Sequence, residues 1–515
     1  MKTIAITGAS GAMGKETLKA IMSSPLKFRA KILLLKSDKS FGFKVKHKYK
    51  DRIEVVYGDV RSPKDCFRLV KNCDYVLHLA ALIPPKSDYD QEKTISINYG
   101  GTKNVVDAIK SLPSCPKLIH ISTVAIYGHR NHIHPWGRVG DPLMPSIFDV
   151  YATSKMKAER YVLESGIKNF AVLRQTGILY DGLLLNNISD GLMFHTPWNV
   201  PIEWVTDVDS GNLMVKIIER DIQNTINDFW NKVYNIGGGK GFRETGFDVF
   251  EGGFKIIGGK VETFFNPNWN AERNFHCFWF SDSDVLEKTF HFQSGSSREF
   301  WNNYEKNHPL YSVAKILPPS LIRKLVIEPL LKNKNAPQYW ISKGDRARIL
   351  AISENVNANK KYTWGNYPLL KNGKIPNDCF DYEKVICSSD YKPLSHGYDE
   401  SKPDCELDLD DMKMVAKFRG GECLSESMIK GDLYTPLKWR CHLGHVFFAT
   451  PYTILKAGHW CDECAPLTTW NYDLTAPYIP FYKQVWYDSH KENECNVYVI
   501  KNNKTYVMEG ARYER

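Results

Sequence analysis

No stretch of this 515-residue chain strings together the roughly 20 consecutive apolar residues that a helix needs to span a bilayer, so no transmembrane segment is expected. No secretory leader is expected either, since by Ile4 the text already reads as a strand running into a glycine turn. Twelve cysteines without such a leader are expected to be thiols rather than disulfides, and the protein to be cytoplasmic. Concentrated positive charge is absent from the C-terminal part. Residues 411–515 carry 13 Lys and Arg against 12 Asp and Glu, whereas binding to a phosphate backbone depends on clustered cations, so nucleic acid is not expected as a partner. At about 150 residues per domain the length predicts roughly three domains.

What is present begins with Ile4-Ala-Ile-Thr7-Gly8-Ala9-Ser10-Gly11-Ala12-Met13-Gly14, an apolar strand, a glycine-punctuated turn and a helix predicted over residues 12–23. Gly8 permits the tight turn, Gly11 lets backbone N–H groups approach a pyrophosphate at the helix N-terminus, and Gly14 lets the helix pack close to the sheet. Together they predict a dinucleotide site. Further strands are expected over residues 31–35, 53–57, 75–81 and 118–123 with helical stretches between them, and such βαβ repetition requires a parallel sheet covered on both faces. Ligands of such sheets sit at the carboxyl ends of the strands. There the third strand ends in Gly58-Asp59-Val60, where the carboxylate can accept from an adenine amino group.

Tyr151 and Lys155 stand four apart on a predicted helix and therefore share a face. An ammonium beside a phenol favours the phenolate, which turns a group with a pKa near 10 into a usable base. Thr123, at the end of its strand, can donate to the same substrate oxygen, with Ser122 as the competing hydroxyl. The ordered series Thr7-Gly8-x-x-Gly11-x-x-Gly14, Asp59-Val60, His78-Leu79-Ala80-Ala81, Asn98, Ser122-Thr123-x-x-x-Tyr127-Gly128 and Tyr151-x-x-x-Lys155 resembles the extended short-chain dehydrogenase/reductases over roughly residues 1–300. The resemblance implies a Rossmann-type, doubly wound parallel α/β sheet with a smaller substrate-binding part. It also implies Thr123, Tyr151 and Lys155 as catalytic residues. The cofactor would lie against Gly8, Ser10, Gly11, Ala12, Met13, Gly14, Asp59, Val60, Leu79, Ala80, Ala81, Asn98, Tyr151 and Lys155. His78 reads as a strand-end residue rather than a catalyst.

Cofactor choice rests on the residues closing the second strand. An NAD site commonly offers a carboxylate to the ribose hydroxyls, yet Lys36-Ser37 stands there and Asp38 follows. A cation and a hydroxyl suit a 2′-phosphate, so the expectation is NADP in preference to NAD, with Lys36 as a cofactor residue. The sixth strand departs from the family's usual Arg-Pro, reading Leu173-Arg174-Gln175-Thr176-Gly177. The loop between Gly128 and Tyr151 carries His129, His132 and His134 and is expected to be solvated. Nucleotide binding is assigned to about residues 1–180 and substrate binding to about 181–300. Residues 247–300 are rich in Phe and Trp, and this suggests an apolar pocket beside Thr123 and Tyr151.

Residues 301–410 read as an extension. Within it an apolar, basic stretch over 316–334, broken by Pro318, Pro319 and Pro329, is expected to pack on the core rather than lie at a membrane surface. Residues 360–410 turn polar and read as loops or linker. Residues 411–515 hold the other sharp pattern: Cys441-x-x-x-His445 and, beyond an apolar hairpin-like stretch, Cys461-x-x-Cys464. Two such pairs of soft ligands can close a tetrahedron around a structural Zn²⁺, with Cys423, His442 and His459 as substitutes. The segment resembles a zinc ribbon of the kind that begins Gly-Gly-x-Cys-Leu-Ser, here from Gly420. Within the dehydrogenase family the chain looks most like the 3β-hydroxysteroid dehydrogenase type. That implies NAD(P)-dependent interconversion of a secondary alcohol and a ketone on a bulky hydrophobic small molecule such as a 3β-hydroxysteroid or sterol, in a candidate homodimer. The alternatives are a nucleotide-sugar epimerase and a non-catalytic cofactor-binding scaffold.

Overall fold

A computed structural model of the chain describes residues 1–131, 133–184, 189–226, 228–276, 278–353, 362–367 and 393–512. His132 and most of the stretch read as loop or linker between 360 and 410 lie outside the described residues. Seven strands form the central sheet: β1 (Thr3–Thr7), β2 (Arg29–Leu34), β3 (Ile53–Tyr57), β4 (Tyr75–His78), β5 (Lys117–Thr123), β6 (Phe170–Gln175) and β7 (Lys232–Ile236). Their order is β7-β6-β5-β4-β1-β2-β3, all parallel. The order reverses between β1 and β4, so this doubly wound Rossmann-like sheet opens a crevice at the carboxyl ends of those two strands.

Buried on both faces, the strands are nearly continuous apolar runs, as a parallel sheet requires. One face is covered by α1 (Ala12–Ser23) and α5 (Asp207–Ile222), which meet over Met13, Leu18, Ile21, Leu213 and Ile217. The other carries α2 (Pro63–Val70), α3 (Gly101–Lys110) and α4 (Val150–Leu163). Close approach of α1 to β1 depends on Gly14, where a Cβ would stand 2.1 Å from the Gly8 carbonyl oxygen.

The C-terminal part is built from α6 (Leu409–Phe418), a three-stranded antiparallel sheet of β8 (Glu422–Cys423), β9 (Leu437–Arg440) and β10 (Val446–Ala449), and a second one of β11 (Thr469–Trp470), β12 (Asn496–Lys501) and β13 (Lys504–Glu509). It does not stand apart. Val105, Val162, Val172 and Val233 of the large domain and Val415, Trp439, Tyr452 and Trp460 of the tail belong to one continuous buried cluster. The described residues between 128 and 151, expected to be solvated, are instead largely buried, with Arg130 enclosed and His134 paired to Asp488 of the tail at 2.7 Å.

The aromatic stretch also corrects an expectation. Phe247, Phe254, Phe264 and Phe265 pack with Phe194 and Trp198 into a core of their own, onto which Ile322 and Ile327 of the extension dock, while Phe278 and Phe280 pack with Tyr127. These rings hold the second half together rather than lining a cavity. Because the tail and the sheet share one core, both should melt together: far-UV circular dichroism and tryptophan fluorescence should trace a single midpoint. Trp439→Ala, which empties a fully buried site, should cost roughly 3–5 kcal/mol and lower both midpoints equally, whereas an early transition confined to fluorescence would contradict the shared core.

Candidate functional site

The turn after β1 takes the geometry its glycines allow. Gly8 has φ +75° and lies so close to the chain after β4 that a Cβ there would stand 2.8 Å from the Ala80 nitrogen. Thr7 ties the two strand ends together, its hydroxyl oxygen accepting from the N–H groups of Leu79 and Ala80, both at 3.1 Å. Ala12 and Met13 open α1, whose N-cap Gly11 supplies no side-chain cap to the first-turn N–H groups, the kind of helix start that receives a pyrophosphate. Ala81 continues the chain on its far side. Asn98 holds this wall, donating to the Leu82 carbonyl (3.1 Å) and the Ser154 hydroxyl (3.2 Å) and accepting from the Leu82 N–H (2.8 Å), so its amide ties the loop to α4.

Two expected cofactor contacts look different in three dimensions. Lys36 is exposed on a short helical turn over Lys36–Asp38, while Asp38, two residues on, faces the glycine loop and accepts from the Ser10 hydroxyl at 2.8 Å. The carboxylate, not the cation, borders the crevice. Asp59 is clamped by Arg61, whose guanidinium donates to both carboxylate oxygens (2.7–3.1 Å) and holds its pKa below the usual carboxylate range. Beside it, Val60 is buried.

At the end of β5 the two candidate hydroxyls separate. Ser122 is buried and donates to Glu159 at 2.5 Å, whereas the Thr123 hydroxyl accepts from the Ala125 N–H at 3.1 Å and lies near enough to the Tyr151 phenol to act on its ionisation. Burial pushes that phenol up to about 12, against the pull of the Thr123 hydroxyl. The Lys155 ammonium is buried, donates to the Ile121 carbonyl at 2.6 Å, and is brought down to about 8 by burial, partly opposed by Glu159. His78 bridges the hydroxyls of Thr7 (2.8 Å) and Thr102 (2.9 Å) inside the core, and burial lowers it to about 3, which keeps it a neutral strand-end residue.

Beyond Lys155 lies a network that local sequence patterns do not reveal. Glu159, one turn further along α4, is fully buried and pairs with Arg174 of β6 at 2.5 Å. Its Oε1 also meets His459 Nε2 of the tail at 3.0 Å. Arg174 in turn donates to the Tyr127 hydroxyl and to the Ala457 carbonyl, both at 2.6 Å. Burial alone would raise the Glu159 carboxyl, but Arg174 and His459 outweigh it and hold it at about 2. The same helix grips the tail elsewhere: Thr153 donates to the Leu467 carbonyl (2.8 Å), Lys157 to that of Asp462 (2.6 Å) and Arg160 to that of Trp460.

Beside this seam the four sequence-predicted ligands converge. The turn joining β9 to β10 presents Cys441 and His445, and Cys461 and Cys464 come from the following loop; one ligand atom from each lies within 4.8 Å of the others. Cys441 Sγ is 3.5 Å from both His445 Nδ1 and Cys464 Sγ, and His445 Nδ1 is 3.3 Å from Cys464 Sγ and 3.6 Å from Cys461 Sγ. Ligands about 2.0–2.3 Å from a tetrahedral centre stand about 3.3–3.8 Å apart, so the set fits a zinc ion. Cys423 and His442 are outside it, and His459 serves Glu159 instead.

Residues 4–174, about a third of the chain, match the model of the NAD dependent epimerase/dehydratase family. Among curated proteins, an uncharacterized membrane protein of Methanocaldococcus jannaschii is 33% identical over 125 residues, 24% of this chain and 36% of that protein. The 3 beta-hydroxysteroid dehydrogenase/Delta 5-->4-isomerase of vaccinia virus (strain Copenhagen) is 25% identical over 205 residues, 36% of this chain and 56% of that protein. An L-arabinose 1-dehydrogenase (NAD(P)(+)) of Haloferax volcanii is 28% identical over 145 residues, 28% of this chain and 47% of that protein. The chain thus spans between about a third and a little over half of these relatives' length. Among solved structures, a dTDP-glucose 4,6-dehydratase from Bacillus anthracis in complex with NAD has a TM-score of 0.47 at 18% identity, covering 61% of this chain and 100% of that one. A UDP-glucose 4-epimerase from Bifidobacterium longum in complex with NAD+ and UDP has a TM-score of 0.47 at 16% identity, covering 60% and 99%.

Glu159→Gln leaves the Arg174 guanidinium without its countercharge in a dry site and should destabilise the fold by roughly 3–5 kcal/mol at neutral pH. Its carboxyl is held near 2 in the fold against about 4.3 when exposed, so the pair's contribution is complete above about pH 4.3 and is lost as the pH falls through about 2. The gap in Tm between wild type and variant should accordingly narrow over that interval. A gap that is constant from pH 7 to pH 2 would show that the carboxylate charge contributes nothing.

Proposed function

We propose that the chain is an NAD-dependent oxidoreductase interconverting a secondary alcohol and a ketone, with Tyr151, Thr123 and Lys155 as its catalytic residues. The observation that carries the reading is the glycine turn after β1, closed tightly on the chain after β4, with the Thr123 hydroxyl near the Tyr151 phenol at the end of β5 as support. The bound nicotinamide would supply the hydride acceptor or donor. Thr123 and Tyr151 would together hold the substrate oxygen. With its pKa near 12 the phenol keeps its proton at neutral pH, the form that protonates a carbonyl oxygen during reduction. Lys155, already stripped of water, would be free to bind ribose hydroxyls by leaving the Ile121 carbonyl.

Asp38 at the glycine loop supports NAD in place of the NADP suggested by Lys36, because a carboxylate accepts from ribose hydroxyls and repels a 2′-phosphate. Cys441, His445, Cys461 and Cys464 would hold a structural zinc, four protein ligands leaving no open position for chemistry. For substrate, a hydroxysteroid is supported by the partial likeness to the poxvirus protein of that name. The buried aromatic stretch removes the other ground for it. A nucleotide-sugar epimerase, built on the same core, is the second reading.

Tyr151→Phe should retain cofactor binding and lose about 10²–10⁴-fold in turnover; undiminished turnover would overturn the assignment. Asp38→Ala should weaken NAD by roughly 10- to 100-fold, the worth of a charge-assisted hydrogen-bond pair, and improve NADP relative to it. A native enzyme that already prefers NADP would reverse this reading. For the substrate, thermal unfolding with a panel of hydroxysteroids and a panel of nucleoside-diphosphate sugars, each with cofactor, should show stabilisation by only one panel. Stabilisation by nucleotide sugars alone would replace the steroid by the epimerase reading. Elemental analysis should return one zinc per chain, and Cys464→Ser should lose it.

A further inference from the structure

The extension exposes apolar side chains where a water-soluble surface would carry polar ones. In a 3₁₀ turn over Pro309–Ile316, Leu310, Val313 and Ile316 are 84%, 58% and 83% exposed. With three residues per turn, this spacing of three lines them up on a single edge. After Pro318-Pro319 the chain turns into a second short helical segment, Pro319–Leu330, in which Leu321, Leu325 and Val326 are exposed. The opposite side of the same segment is fixed, because Ile322 and Ile327 are buried in the aromatic core around Trp198 and Phe265. The exposed leucines and isoleucine are therefore held out on a rigid base, and seven large apolar side chains between residues 310 and 326 are exposed.

Charge in this segment is mostly positive. Residues 309–334 contain Lys315, Arg323, Lys324, Lys332 and Lys334 against the single acid Glu328. Glu328 pairs with Arg323, and Lys315 reaches Glu305. Lys324, Lys332 and Lys334 are exposed, the first of them next to the exposed Leu325 in the chain. An apolar edge that penetrates a few ångströms, ringed by cations at headgroup height, is the design of an interfacial anchor. No helix among the described residues is long and apolar enough to cross a membrane, so the element suits the surface of a bilayer and not its span.

We propose that residues 309–332 form a membrane-surface site that takes an anionic lipid bilayer, with Leu310, Ile316 and Leu325 entering the acyl boundary and Lys324 and Lys332 meeting the headgroups. The assignment does not depend on which substrate the enzyme turns over. It departs from the expectation that this stretch packs wholly on the core: Ile322 and Ile327 do, and the rest faces outward.

The test is co-sedimentation of the full-length protein with vesicles of phosphatidylcholine alone and of phosphatidylcholine with about a third phosphatidylserine. The protein is expected to sediment with the anionic vesicles and to be released as salt shortens the Debye length from about 10 Å toward 3 Å. The triple variant Leu310→Asp, Ile316→Asp, Leu325→Asp should lose binding by more than tenfold with an unchanged Tm, since all three side chains are exposed. Lys324→Glu with Lys332→Glu should lose it by a similar factor, each cation being worth roughly fivefold at such a surface. Failure of the wild type to sediment, or unchanged binding by the triple variant, would overturn the proposal. Equal binding to phosphatidylcholine alone would overturn it as well. A dimer in gel filtration that the triple variant dissociates, with no vesicle binding by either, would assign the edge to a second copy of the chain and reject the bilayer.

Discussion

A carboxylate sealed from water needs a cation within reach, and Glu159 is the point at which this chain meets that demand. Buried between α4 and the sheet, it takes its countercharge from Arg174 and a further hydrogen-bonding partner from His459. Each of those obligations recruits a different part of the molecule. Arg174 fixes α4 against β6 and, through Tyr127, the loop after β5; His459 fixes the tail. Removing either charge would strand the other in a medium that screens poorly, so the three segments are constrained to assemble together. The departure from Arg-Pro at Arg174-Gln175 leaves that arginine intact, and the guanidinium has a structural task.

The helix that carries Tyr151 and Lys155 consequently serves two masters. Its first two turns carry the Tyr151 phenol and the Lys155 ammonium, while Thr153 between them and Lys157, Glu159 and Arg160 beyond them reach the tail. Residues on opposite faces of one rigid helix cannot move independently, so the cluster of Cys441, His445, Cys461 and Cys464, which shapes the loop bearing His459 and Trp460, sets the seating of the helix as a whole.

Much of this was legible before any coordinates, and the boundary of legibility is physical. The helix over residues 12–23 and the strand over 53–57 occur where the text predicts them, because glycine spacing and apolar runs are local and strongly periodic. The cysteine and histidine pairs also converge as their spacing requires. Choosing between Lys36 and Asp38 was beyond that reach, since a single 3₁₀ turn decides which of two neighbours faces the glycine loop. Burial, a property of the whole fold, pushes the Tyr151 phenol up, and no local pattern announces burial. Aromatic residues likewise announce themselves in sequence without saying whether they surround a cavity or one another. Glu159 left no local signal, because its partners lie 15 and 300 residues away.

That last separation has a consequence for how the protein is made. A ribosome adding about 5–20 residues per second completes α4 some 15–60 s before it delivers His459. During that interval the nascent Rossmann sheet exposes the apolar seam that Trp439, Tyr452 and Trp460 will later cover, and Glu159 depends on Arg174 alone. The large domain must therefore wait half-finished, with a sticky flank in the crowded surroundings of synthesis. Chaperone demand and aggregation during expression should track the time spent in that waiting state rather than the stability of the finished fold.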